Sequence, residues 1–282
     1  MKARSKPRRR ADKISAGALV GWLILTAFPP AAAAQDEAVD RLGASYVRQV
    51  GRDFVGVCTS PKDWRSRDIL TALAVAGLGA VVVTQEEDLR DWILRNRTPR
   101  SQDASSVIRP FGNGGVLAAL TVGLYAVGEV VDEPGLRRTS LLGLQSFLTS
   151  SVFVTGLKTV VGRSRPRAGA GNTDFHPFSF ASSRTSFPSG DSSGAWSVAT
   201  AIADQTDNTF VDVLCYGLAT LVAAWRIHDD KHWASDVFIG SAVGYFTAKK
   251  ICRLHERQNS PSLAAGLAWL DGRPVVSLSL AF

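Results

Sequence analysis

Cysteine is scarce in this sequence: Cys58, Cys215 and Cys252 are the only three in 282 residues. An odd, widely spaced set does not form a disulfide framework. Cys215 lies inside an apolar run and reads as a core residue, whereas Cys58 and Cys252 are free to pair without any spacing that requires it. Alternating polar and apolar positions are missing before residue 262, which argues against a β architecture for the body of the chain. No internal repeat is evident, and no cluster of residues has metal-ligand spacing. Basic charge is less abundant than it looks. Of the +7 formal charge, residues 1–34 carry +6, from seven Lys and Arg against Asp12. The remainder is nearly neutral and has no basic stripe with interleaved aromatics, so nucleic acid is excluded as a partner.

The N-terminal charge belongs to an export signal. A basic n-region leads into the apolar run from Ile14 to Phe28, followed by Pro29-Pro30 and by Ala32-Ala33-Ala34 before Gln35. This order is that of a signal peptide over residues 1–34, with an uncleaved anchor as the alternative. The expected location is the periplasm.

Six apolar, small-residue-rich stretches follow, at 69–84, 115–131, 140–161, 192–203, 210–224 and 236–251. They are too long for strands and predict helices. Residues 36–67 are polar and mixed, ending in Ser60-Pro61-Lys62-Asp63-Trp64, a helix-start signal. Residues 85–110 are charged and loop-like, with Asp88, Arg90, Asp91, Arg95 and Arg97 as a solvated face. Residues 163–188, rich in Gly, Ser, Pro and Arg, are too long for a plain connector and mark a functional loop. The tail predicts a β-hairpin around Asp271-Gly272. The expected fold is all-α, a helical bundle of about six core helices with a C-terminal β-hairpin. The expected division is a signal peptide at 1–34, a helical and loop region at 35–110, a helical core at 111–256 and the hairpin tail at 257–282. A membrane span needs about 20 apolar residues. Most runs fall short or carry Glu129 or Gln145, and mean hydropathy is only +0.06. A soluble or peripheral bundle, with a membrane surface as a partner, is therefore favoured over an integral membrane protein.

Three constellations carry chemistry. Lys158 and Arg165-Pro166 close the third apolar stretch. Ser186-Phe187-Pro188-Ser189-Gly190-Asp191 opens the fourth, where backbone amides and a hydroxyl can face an anion. Arg226, His232 and Asp236 lie between the last two stretches. Asp229 or Asp230 is expected to cap a helix starting near Lys231, which would put His232 and Asp236 four residues apart on one face. A carboxylate beside an imidazole fixes its tautomer and frees the other nitrogen for attack.

The spacings Lys-x6-Arg-Pro, Pro-Ser-Gly and Arg-x5-His-x3-Asp resemble, over residues 140–250, the type 2 phosphatidic acid phosphatase family. Its superfamily includes bacterial class A acid phosphatases and vanadium haloperoxidases. The resemblance implies a helical bundle and an exported phosphatase acting on phosphomonoesters or pyrophosphates, lipid phosphates among them, without a cofactor or metal. It implies that His232 is the nucleophile, forming a phosphohistidine, and that Asp236 orients it. Lys158, Arg165 and Arg226 would hold the phosphoryl oxygens, with donors from Ser189 and the Gly190 amide. Such chemistry is largely positioning and charge stabilisation.

The chain departs from the family pattern at two places. Trp225 precedes Arg226 where the family has Ser, a change the arginine tolerates. Asp191 stands where the family has the histidine that protonates the leaving oxygen. A carboxyl group ordinarily ionises near pH 4, so Asp191 needs burial to serve as an acid, and nearby cations act against it. His176 and His228 are the alternative acids. Two further readings are a silent phosphate-binding relative and a vanadate-dependent haloperoxidase using the same oxyanion cradle.

Overall fold

A computed structural model describes residues 41–258, 262–270 and 273–281. The signal reading at 1–34 and the Asp271-Gly272 turn lie outside the described residues. Among the described residues there are eight α-helices: α1 Ala44–Thr59, α2 Ser66–Arg95, α3 Pro99–Ile108, α4 Gly114–Val130, α5 Pro134–Val161, α6 Gly190–Asp204, α7 Thr209–His228 and α8 Ala234–Gln258. All six apolar stretches fall on helices, as their length predicts. Strands β1 Ser262–Leu270 and β2 Arg273–Ala281 pair antiparallel, with Leu270 opposite Arg273. The three cysteines are free.

The segment 85–110 is not a loop. Helix α2 runs through it to Arg95, and α3 fills most of what remains. No Gly or Pro interrupts residues 80–98. Glu86 and Arg90, and Asp91 and Arg95, fall four apart, a spacing that supports a helix. Asp88, Asp91 and Arg95 are exposed, as expected of a solvated face, but that face belongs to a helix and not to a loop. A helix α1, within the segment read as polar and mixed, packs against α8.

Helix α6 is central, packed against α5, α7 and α8. Apart from Val198 and Thr200, its buried positions are small: Ser192, Ser193, Gly194, Ala195, Ser197, Ala199 and Ala201. Helix α8 meets it with Gly240 and Gly244. A Cβ on Gly240 would lie 2.4 Å from the Ser189 carbonyl oxygen, and one on Gly244 would lie 2.1 Å from that of Ser193. Small residues let the two backbones close to this distance, and the approach joins the second motif to the third. Gly240→Ala should force the helices apart. The expected cost is about 1–3 kcal/mol, the usual range for overpacking, read as a lowered unfolding midpoint.

The helices outrun the apolar stretches that predict them. Three, α2, α5 and α7, are long and apolar enough to cross a membrane, and α3 with its following turn plus α4 would make a fourth if that pair, bent by 60°, were one span. Helix α2 exposes Leu70, Leu73 and Val81, α4 exposes Val122 and Val130, and α7 exposes Val213 and Leu214. Only 6% of the apolar window of α2 is buried. Apolar surface on this scale, unmatched by a protein neighbour, marks membrane association. The soluble alternative drew on whole-chain hydropathy, which averages these faces with the charged helix ends.

Candidate active site

The loop 163–188 opens at Gly162, which caps α5 with φ +62°. A Cβ there would lie 1.7 Å from the His176 carbonyl oxygen, so the left-handed turn and the close approach both require glycine. Backbone bonds then pin the loop. The Ser164 amide donates to the Asp174 carbonyl at 2.9 Å, Arg165 to Ser183 at 2.8 Å and Ser186 to Arg163 at 2.9 Å. The loop thereby delivers Arg165 and Ser186 to the mouth of α6 in fixed positions.

His232 does not sit on the face of a helix with Asp236. Asp229 ends α7, Asp230 turns the chain with φ +57°, and α8 starts only at Ala234. His232 is thus in the approach to the helix, and its Nδ1 lies 3.9 Å from Asp236 Oδ2. The nearer group is the Ser186 carbonyl oxygen, at 2.8 Å. A carbonyl only accepts, so Nδ1 carries the ring proton and Nε2 keeps its lone pair. Asp236 acts one step back. Its Oδ2 accepts the Ser186 hydroxyl at 2.5 Å and the Trp233 amide at 2.9 Å, fixing the residues on both sides of the imidazole contact. Burial pushes the His232 imidazolium below its ordinary range; Asp236 opposes that, and Lys158 adds to it.

Behind Asp236 lies a buried network that reading the sequence did not find. Arg163, 2% exposed, donates from Nη1 to Asp236 Oδ1 at 2.7 Å and to the Ser235 hydroxyl at 2.8 Å. Its Nη2 bonds Glu86 of α2, and Glu86 also accepts the Ser235 hydroxyl at 2.5 Å. The guanidinium is held between two carboxylates with its remaining donors satisfied by the Asn172 carbonyl. Only Glu86's position at the start of the supposed loop hid it. Glu86→Ala would leave Arg163 half-paired in the interior. A loss of about 3–5 kcal/mol is expected, measured by chemical unfolding, with Glu86→Gln costing less because it keeps an acceptor.

Two of the phosphate-binding candidates, Lys158 and Arg165, lie close enough to His232 to act on its charge. Lys158 Nζ donates to the Thr185 carbonyl at 2.6 Å, and Arg165 Nε to the Ser182 carbonyl at 3.0 Å. Among the described residues neither has a carboxylate at ion-pair distance. Arg165 is held below its usual range by burial and by Arg167, with Arg226 adding to the effect. Ser189 is the N-cap of α6: its hydroxyl oxygen accepts the Ser192 amide at 3.4 Å, and it is wholly buried. Gly190 opens the helix, and a Cβ there would be 3.8 Å from Lys158 Cε. The helix's unpaired amides and the Lys158 stem therefore border one space.

Arg226 differs from the other two cations. Its Nη2 donates to the Arg109 carbonyl at 2.8 Å, and its Nη1 pairs with Asp191 Oδ2 at 3.0 Å. The residue that replaces the family's histidine thus occupies part of the fork that would hold phosphate. The alternative acids lie elsewhere. His176 Nε2 is 3.0 Å from Asp174 Oδ2 on the loop, and His228 contacts Ser101 and Asp229. Arg90 and Arg97, read as solvated, instead brace the turn: Arg90 grips Asp230 with two bonds of 2.6 and 2.9 Å, and Arg97 bonds the His228 carbonyl.

Residues 140–260 match the profile described as the PAP2 superfamily. No curated protein matches the chain significantly. Among solved structures, the fold is similar to that of the first transmembrane PAP2 type phosphatidylglycerolphosphate phosphatase from Bacillus subtilis. The two are 22% identical with a TM-score of 0.52, over 66% of this chain and 96% of that one. Aquifex aeolicus LpxE is also similar, at 22% identity and a TM-score of 0.49, over 60% of this chain and 94% of that one. The span similar to the PAP2 superfamily, residues 140–260, contains all three motifs.

Proposed function

We propose that this protein is a membrane-embedded phosphatase, exported or inserted by its N-terminal signal, that hydrolyses phosphomonoesters or diphosphates through a phosphohistidine. One observation carries the reading: a histidine with its Nδ1 proton fixed stands within the field of Lys158 and Arg165, neither of which has a carboxylate at ion-pair distance among the described residues. In the first step the Nε2 lone pair of His232 attacks phosphorus and the ester P–O bond breaks. Lys158, Arg165 and Arg226 balance the charge on the phosphoryl oxygens, and the departing oxygen takes a proton from Asp191 or from water. In the second step water attacks the phosphohistidine, releasing inorganic phosphate and the free imidazole. Asp236 and Ser186 keep the ring in position throughout.

Lipid phosphates are the natural substrate class for a site whose surrounding helices expose apolar faces. A phosphate-release panel on the detergent-purified protein tests the reading, using lipid monophosphates, isoprenyl diphosphate and nucleotides over pH 4–8. Because burial depresses His232, its ring stays neutral at lower pH than a free imidazole, whose pKa is about 6.5. The acid limb of kcat/KM on an aryl phosphate should lie below that value. No phosphate release from any substrate would leave a binding protein, the reading that the Asp191–Arg226 pair favours.

A further inference from the structure

A second group of cations lies beside the motif residues and is not used by them. The short helical turn Arg109–Gly112 presses on the third motif. A Cβ on Gly112 would lie 2.6 Å from Val222 Cγ1 and 3.2 Å from Arg226 Nη2. The Arg109 carbonyl accepts Arg226 Nη2, which fixes the Arg109 backbone and leaves its side chain at the rim. Two cavities open there, of about 390 and 320 Å³. The first is bordered by Arg226 and Asp191, the second by Arg97, Ser105 and His228, and both by Arg109 and Lys231. The shared wall is therefore a pair of cations one step from the phosphoryl-binding arginine.

Neither side chain of this pair has a hydrogen-bonded acceptor among the described residues. Two carboxylates border the cavities: Asp191, which pairs with Arg226, and Asp229, which accepts the Ser105 hydroxyl at 2.6 Å on one oxygen and leaves the other unpartnered. Lys231 is pushed below its ordinary range by burial and by Arg226; Asp191 and Asp229 oppose that, and Arg109 adds to it. Four cations, Arg97, Arg109, Arg226 and Lys231, face two carboxylates, Asp191 and Asp229, around this partly enclosed space, an excess of positive charge that a bound anion would balance.

We propose that Arg109 and Lys231 form a second anion subsite that selects substrates bearing another negative group next to the scissile phosphate, diphosphate esters foremost. The proposal rests on the phosphatase reading, and it assigns a role to Arg109, which lies outside the family-matched segment. An arginine fork and an ammonium suit the two oxygens of a distal phosphate, while Arg226 and Lys158 remain on the reacting one.

The test compares an alkyl monophosphate with the diphosphate of the same alkyl chain, on full-length protein in neutral-lipid nanodiscs. Wild type should show the lower KM for the diphosphate. Arg109→Gln and Lys231→Gln should each raise that KM about tenfold, as loss of a contact between charged groups does. Monophosphate KM should stay within about threefold. Equal KM values in wild type, or equal losses on both substrates, would overturn the subsite. An effect appearing only in phosphatidylglycerol nanodiscs, and on both substrates, would assign the cations to a lipid headgroup and also overturn it. If wild type releases no phosphate, the phosphatase reading fails separately, and the subsite is decided by binding. Inorganic pyrophosphate should then protect wild type against thermal unfolding more than inorganic phosphate does, and Arg109→Gln should erase the difference. Equal protection would sink the proposal. An unchanged circular dichroism spectrum and unfolding midpoint without ligand confirm that each variant is folded.

Discussion

His232→Ala is expected to reduce phosphate release by about 10⁴-fold or more, the scale seen when a nucleophile or its base is removed from a catalytic set. The truncation takes away the atom proposed to accept the phosphoryl group. It also breaks the contact with the Ser186 carbonyl. That contact is a single hydrogen bond, and Asp236 still holds the Ser186 hydroxyl and the Trp233 amide, so the local backbone should survive. The variant should therefore unfold near the wild-type midpoint while giving no acid-labile phosphoprotein. A variant with a substantial fraction of wild-type turnover would remove His232 from the mechanism altogether.

Asp191→His should change the chemistry in the opposite direction. In wild type the Asp191 carboxylate sits 3.0 Å from Arg226 Nη1. It competes with the substrate's oxygens for that fork. Alkyl phosphates have leaving groups that need a proton, and with no imidazolium at this position they should be slow at pH 7. Aryl phosphates, which depart as stable phenolates, should be much less affected. A histidine at 191 frees Arg226 and supplies an imidazolium still partly protonated near pH 6–7. Alkyl turnover at that pH should then rise by about 10²-fold, the lower range for general acid catalysis. Formation of the phosphoenzyme from an aryl substrate should change by only a few-fold. Brisk alkyl hydrolysis by wild type at pH 7, with no gain on substitution, would assign the proton to another donor, His176 or His228 first.

Much of this architecture is legible in the sequence because it is written in local patterns. The six apolar stretches have lengths that only helices use, and the Lys158, Arg165, Arg226 and His232 spacings are short enough to read directly. What escapes is whatever depends on chain segments far apart. Glu86 sits in a charged run that looks solvated, and nothing local shows that it meets Arg163, 77 residues on. The four-residue spacing of His232 and Asp236 invites a helical face, but a left-handed Asp230 delays the helix to Ala234. That delay gives the imidazole to a backbone carbonyl, an acceptor no sequence pattern announces. The membrane faces escape for another reason: average hydropathy says nothing about which side of a helix is left uncovered.

The Glu86–Arg163 pair bears on where this domain begins. The family-matched segment starts at residue 140, yet the carboxylate that neutralises its most buried arginine arrives from Ser66–Arg95. A fragment trimmed to the recognisable homology would keep the Arg163–Asp236 pair but strip the other side of the guanidinium of its Glu86 carboxylate. The smallest unit able to fold autonomously therefore reaches back to Ser66 at least. For this chain, the boundary of common descent and the boundary of physical self-sufficiency are different lines, separated by more than seventy residues.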